Sequence, residues 1–294
     1  MNNKTIHRIV RKVINEALGV NSYVEKAVDG IINKIIKLDA SGQLEEKHLT
    51  NDIPILIKRG ELEYNLIKDN VIKVEFRIYD FRNDEELQKF KENYPQIYTE
   101  KMYKASAGKP YKDSQILIRF SVVRAGGKIQ NDSYDSLQHE LDHALKMALT
   151  ENGALSRRNY KNSMTRYVME HGDSNKYVHV AAYMVYYSWP HEQDAFANGL
   201  YSYLKHSNPT KENLDELIYK SDYYSIINKM RTFLRALNEL EGEEKEKINR
   251  LFYISFGSDV DKFSKEVANT LSEYIRNLGR IKTLILQRLQ QNNN

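Results

Sequence analysis

The 294-residue chain contains no cysteine. That excludes a disulfide framework, a thiolate zinc finger, a cysteine nucleophile and a cysteine-ligated iron–sulfur cluster. Any metal must therefore be held by His, Asp or Glu. Breakers are scarce, with 5 prolines and 13 glycines against 21 tyrosines, which predicts long helices with few interruptions. No apolar run approaches the ~18 residues of a membrane span. The opening stretch MNNKTIHRIVRKVINEALGV carries charge through its centre and lacks the apolar segment of a signal peptide, so synthesis and residence in the cytoplasm are expected. The charge of one sign is also small: 44 basic against 40 acidic residues leaves +4, too little and too dispersed to argue for a nucleic-acid partner.

What is present falls into three parts. Ile6, Ile9, Val10, Val13, Ile14 and Leu18 form one stripe, with Arg8, Arg11, Lys12 and Asn15 opposite, so 4–18 reads as a basic amphipathic helix. A second helix is predicted from Tyr23 to Leu38, and Ser41 to Lys47 is a polar interruption. The period then changes to two. Leu62, Tyr64 and Leu66, a turn at Asp69-Asn70, then Val74, Phe76 and Ile78 predict a hairpin, and Ile116, Ile118, Phe120 and Val122 predict a third strand ended by Ala125-Gly126-Gly127. From Asp132 onward the pattern is helical, in segments 133–150, 163–170, 176–188, 190–206, 211–240 and 244–290, the last broken near Phe256-Gly257-Ser258. The expected fold is α+β, with a small antiparallel sheet and a large helical C-terminal part. The expected domains are an N-terminal helical arm (1–40), a main domain (41–206) and a helical C-terminal region (207–294).

The chemistry is concentrated in one helix, where His139-Glu140-Leu141-Asp142-His143 sets two imidazoles four residues apart. Residues so spaced lie one above the other on a helix, so both rings can reach one ion while Glu140, one step round, reaches a water on that ion. The pattern would arise by chance about 0.02 times in a chain of this composition. Leu137, Leu141, Ala144, Leu145 and Ala148 give the helix a burying stripe, and Asp132 or Ser133 can cap its start. A third ligand must come from elsewhere, with one position left open. Pro190-His191-Glu192-Gln193-Asp194 opens a later helix on which Glu192 shares a face with Ala195, Phe196, Gly199 and Tyr203. Glu192 is the preferred ligand, with Asp194 as ligand or partner next. His191 has more polar neighbours and reads as an exposed helix-start residue. His7, His48, His171 and His206 lie in the arm, at element ends or in a turn.

His139-Glu140-Leu141-Asp142-His143-Ala144, followed by Pro190-His191-Glu192-Gln193-Asp194-Ala195-Phe196-Ala197, resembles the zincin metallopeptidases of the gluzincin type, in particular the small zincin-like proteins of bacteria and their phages. The resemblance covers about residues 110–205. The spacing from His143 to Glu192 is longer than in the archetypal gluzincin, and Phe196 stands where that pattern has an aspartate. The start, Ile6 to Leu18, resembles the basic leader helix of crAss-like phage proteins. The resemblance implies Zn²⁺ on His139, His143 and Glu192, Glu140 as general base, and hydrolysis of peptide or protein substrates. It also implies a hydrogen-bond donor for the developing oxyanion, drawn from His179 or from Tyr183, Tyr186, Tyr187 and Tyr201, with His179 and Tyr187 the candidates carried forward. A peptide would lie along the strand 115–123 by strand addition. If phage-encoded, the protein would act in the host cytoplasm or travel in the virion, with virion proteins as possible partners and neither membrane nor nucleic acid among them. A competing expectation is a virion or cargo protein that keeps a zincin-like fold without turnover and uses the charged run Glu239 to Lys247 and the helix 262–290 for assembly. DNA binding would rest on Arg8, Arg11 and Lys12 alone.

Overall fold

The computed structural model describes residues 22–50, 53–67, 70–98, 102, 105–108, 115–149 and 175–292. The expected helices at 4–18 and 163–170 lie outside the described residues. The fold is α+β, and the chain divides into two compact units: residues 1–153 with 201–209, and residues 154–200 with 210–294.

In the first unit, helix α1 (Ser22–Ala40) is followed by strands β1 (Glu45–Thr50), β2 (Pro54–Ile67) and β3 (Asn70–Phe81). Helix α2 (Asp84–Asn93) then leads to β4 (Ser106–Gly108), β5 (Ile116–Ala125), β6 (Lys128–Ile129) and helix α3 (Asn131–Leu149). The sheet order is β1-β2-β3-β5-β4, with β6 paired to β5. The sheet is mixed, a correction to the antiparallel expectation: β3 and β5 run parallel, Ile72 opposite Ile116 through Phe81 opposite Ala125. The reason is the connection. A hairpin cannot join parallel strands, and the long crossover containing α2 returns the chain to the starting end. Residues 45–47, expected as the end of the polar interruption 41–47, instead open the edge strand β1, whose charges suit its exposed position. The β5–β6 hairpin closes on Gly126 and Gly127 at φ 56° and 78°. Two successive positive φ values make the mirror-image turn that matches strand twist, which only glycine adopts without strain.

Alternation gives the sheet two faces. One, carrying Leu66, Ile72, Val74, Phe76, Ile78, Ile116, Ile118, Phe120 and Val122, packs against Val24, Val28, Ile31 and Ile35 of α1 and Leu137, Leu141, Ala144 and Leu145 of α3. The other carries Ile55, Ile57, Tyr79, Phe81 and Val123 and is covered by Leu87 and Phe90 of α2 with Tyr98 and Met102. Helix α2 starts on Asn83, whose side-chain oxygen accepts from the Glu86 N–H at 2.9 Å. At one end of the first core, Asp39 of α1 pairs with Lys58 of β2 at 2.5 Å and with Arg124 of β5 at 2.7 Å, and Arg124 also pairs with Asp80 of β3. Burial pushes the Asp39 carboxyl up, but the hydrogen bonds from Lys58 and Arg124 together outweigh it and hold the carboxyl below its ordinary value.

The second unit is helical. It contains α4 (Lys176–Tyr187), the first eleven residues of α5 (Pro190–His206), α6 (Leu214–Lys220), α7 (Asp222–Asn238), α8 (Gly242–Phe256) and α9 (Val260–Asn292). The stretch 211–240, expected as one helix, is two, because the Ser221 hydroxyl accepts from the Tyr224 N–H at 3.2 Å and starts a new helix there. The break expected near Phe256-Gly257-Ser258 is present, with Gly257 at φ 66°. Phe252, Phe256 and Phe263 meet at centroid distances of 5.0–5.5 Å in the core of this unit. No helix among the described residues is long and apolar enough to cross a membrane.

Candidate metal centre

Helix α3 owes its placement to its own apolar stripe, since Leu137, Leu141 and Ala144 are fully buried against the sheet and α1. Its start is fastened to the strand before it: the Ser133 hydroxyl accepts from the Val123 N–H at 3.0 Å, so Ser133 ties helix to strand rather than capping the helix. Asp132 accepts from the Tyr98 hydroxyl at 3.0 Å. On the side of α3 turned away from this stripe, His139 and His143 meet edge-on at a centroid distance of 4.7 Å, with their Nε2 atoms 3.1 Å apart. Glu140 is half-buried on the same helix.

Helix α5 begins with Pro190, whose missing N–H costs nothing at a helix start, and it places Glu192 in its first turn, where the helix dipole favours a carboxylate. Glu192 is 6% exposed. The Tyr186 hydroxyl, at the end of α4, donates to Glu192 Oε2 at 2.7 Å, and His191 Nε2 lies 3.5 Å from Oε1. His191 stacks on Trp189, and Tyr186 meets Trp189 edge-on at 5.4 Å. The helix runs unbroken to His206, and its last turns are anchored within the first unit. There Lys205 pairs with Glu25 and Asp29 of α1, His206 bonds Asp29 at 3.0 Å and stacks on Tyr134 of α3, and Asn131 donates to the Ser207 hydroxyl at 2.9 Å. The histidine read from sequence as an element-end residue thus ties the last turn of α5 to α1 and α3.

His139, His143 and Glu192 form one group in which a ligand atom from each lies within 4.8 Å of the others, the one group of this kind among the described residues. The donor chemistry fits a divalent metal. Two nitrogens each ~2.0–2.1 Å from a tetrahedral zinc stand roughly 3.3 Å apart, close to the His139–His143 separation. Two imidazoles and one carboxylate would supply three ligands to a divalent ion.

The other expected residues lie as follows. Asp194 is outside this group. His179 lies near the start of α4, edge-on to Tyr183 at 5.3 Å, and is not in the group. Tyr187 is buried, its ring against Phe196 at 5.7 Å and Tyr186 at 5.5 Å, and burial pushes its hydroxyl up to about 12, with smaller contributions from Tyr183, Asp222 and Glu192. It is a neutral phenol throughout the physiological range. Of the neighbouring tyrosines, Tyr186 is the one that reaches the Glu192 carboxylate. Helical periodicity could not separate these adjacent residues, because the deciding factor is the Ser188-Trp189 turn between α4 and α5, across which Tyr186 and Tyr187 both meet Phe196. Strand β5 has β3 on one side, and on the other β4 opposite residues 117–119 and β6 opposite 124–125, so a peptide cannot add along those stretches as the strand reading supposed.

No family model, curated protein or solved structure matches the chain.

Proposed function

We propose that the chain is a zinc-dependent peptidase of the zincin kind. The observation that carries this reading is the juxtaposition of His139 and His143, with Nε2 atoms 3.1 Å apart, with the Glu192 carboxylate, while Glu140 stands on the same helix between the two histidines. His139, His143 and Glu192 would hold the ion. When bound, it would act as a Lewis acid that polarises the scissile carbonyl and lowers the pKa of a water towards 7. Glu140 takes one proton from the attacking water as oxygen adds to the carbonyl carbon, and delivers it to the amide nitrogen as the C–N bond breaks, leaving an amine and a carboxylic acid that then ionises to solvent. The apolar stripe beneath α3 keeps Glu140 and the two imidazoles in register for this transfer.

The test is metal content by native mass spectrometry together with cleavage of casein and a peptide library. Glu140→Gln should retain the metal and lose at least about 100-fold in kcat/KM, the scale of a general base. His139→Ala should lose metal and turnover together. Undiminished hydrolysis by Glu140→Gln would overturn this mechanism. A native protein that holds metal but cleaves nothing would favour the assembly role instead.

A further inference from the structure

A carboxylate can bind a metal through one oxygen or two, and the choice decides whether a fourth position stays open for water. In this chain both oxygens of Glu192 have neighbours, and Oε1 lies 3.5 Å from His191 Nε2. The Tyr186 hydroxyl donates to Glu192 Oε2 at 2.7 Å, in the range of a strong O–H···O⁻ bond. We propose that Tyr186 is a positioning residue that restricts Glu192 to coordination through Oε1 alone. This rests on the metal reading above and adds to it a coordination number and the residue that sets it.

The corner that presents Tyr186 is fixed from several sides. Its ring meets Trp189 edge-on at 5.4 Å and Phe196 at 6.3 Å. The carbonyl of the next residue, Tyr187, accepts from the Tyr274 hydroxyl of α9 at 3.2 Å, and the Tyr274 carbonyl accepts from the Tyr223 hydroxyl of α7 at 3.1 Å. Tyr223 and Tyr274 are fully buried, with rings 4.9 Å apart. A relay of two buried phenols therefore holds the end of α4 from the two long helices of its own unit. The Ser188 N–H closes the last turn onto the Met184 carbonyl at 3.1 Å, and Gln193 donates to the Ser188 carbonyl at 3.1 Å, tying the start of α5 to the same corner. A Tyr186 hydroxyl mounted this firmly holds its bond to Oε2 when a cation arrives. Phenylalanine would keep the ring contacts and release the oxygen.

The experiment compares the native chain with Tyr186→Phe using Co²⁺ and Zn²⁺ as probes. Metal-free proteins are titrated with Co²⁺ while the d–d absorption is followed, Zn²⁺ affinity is measured against a chromophoric chelator, and X-ray absorption fine structure is recorded on the Zn²⁺-loaded native chain. The native chain should bind one ion with the intense d–d bands of a four-coordinate centre and a carboxylate bound through one oxygen. Tyr186→Phe should bind roughly 10–100-fold more weakly, the usual effect of removing a hydrogen bond to a ligand, and its bands should weaken as the freed oxygen raises the coordination number. Unchanged affinity and spectrum in Tyr186→Phe would overturn the proposal, and so would a carboxylate bound through both oxygens in the native chain, a result that needs no variant. Failure of the native chain to bind either ion would overturn the metal reading itself, and this proposal with it.

Discussion

At the scale of single residues, the contact between Asp29 and the last turn of α5 is an acid-sensitive feature. The His206 hydrogen bond is the largest influence on Asp29. Burial opposes it and Lys205 reinforces it, and the carboxyl ends at about 2, against an ordinary 3.8. A folded-state pKa below the unfolded one contributes stability that is present in full above the unfolded value and is lost as pH falls through the folded one. The loss should therefore run from just below pH 4 down towards pH 2. Asp29 is partly exposed, so solvent screens the pair and only the direction carries over. Urea unfolding across this window, monitored by hydrogen exchange in 22–40 and 201–207, should show a steeper acid loss for the native chain than for Asp29→Asn. Parallel profiles would show that this contact contributes nothing measurable.

At the scale of elements, the last two helices of the helical unit are joined at a left-handed glycine. Gly257 ends α8 at φ 66°, and its N–H closes onto the Tyr253 carbonyl at 3.0 Å. A Cβ there would meet nothing within 4 Å, so replacing it tests backbone conformation free of crowding. Gly257→Ala should cost about 1 kcal/mol, the price of left-handed backbone in an L-residue. A lower unfolding midpoint in the segment 242–292 would register it, and an unchanged midpoint would mean that the turn relaxes. This junction could be read from the sequence, as could most elements whose apolar residues face one core: the period-two stretches 62–66, 74–78 and 116–122 and the period-3.6 stretches on α1 and α3 are visible because burial selects their spacing. Edge strands escape such reading. Glu45, Glu46, Lys47 and His48 carry the polarity of a loop because an edge strand is kept charged. The parallel pairing of β3 with β5 has no local signature, since it depends on where a crossover returns. At the candidate site the two histidines and Glu192 were legible from spacing and residue type. The contacts of Tyr186 and His206 were not, for both depend on how helix ends are held.

At the scale of the whole molecule, each compact unit has its own buried core, an open sheet with helices in one and packed helices in the other, so unfolding of the chain is not to be treated as one two-state transition. A ligand that binds only the folded protein stabilises it by mass action, whatever the number of transitions. Glu192 lies 49 residues beyond His143 and joins the two neighbouring histidines only in the fold, so an unfolded chain offers a metal at most the histidine pair. Zinc at about 100 times its dissociation constant should therefore add roughly 2.7 kcal/mol to the transition that disperses the three ligands. For a unit of this size that is a rise of several degrees. His143→Ala keeps the core residues of α3 while removing one ligand, so its metal-free unfolding should stay close to that of the native chain and its zinc-dependent rise should vanish. Calorimetry with and without zinc on the two proteins separates specific binding from nonspecific effects of the ion. A rise of equal size in His143→Ala would place the bound zinc elsewhere and remove the basis for the ligand set.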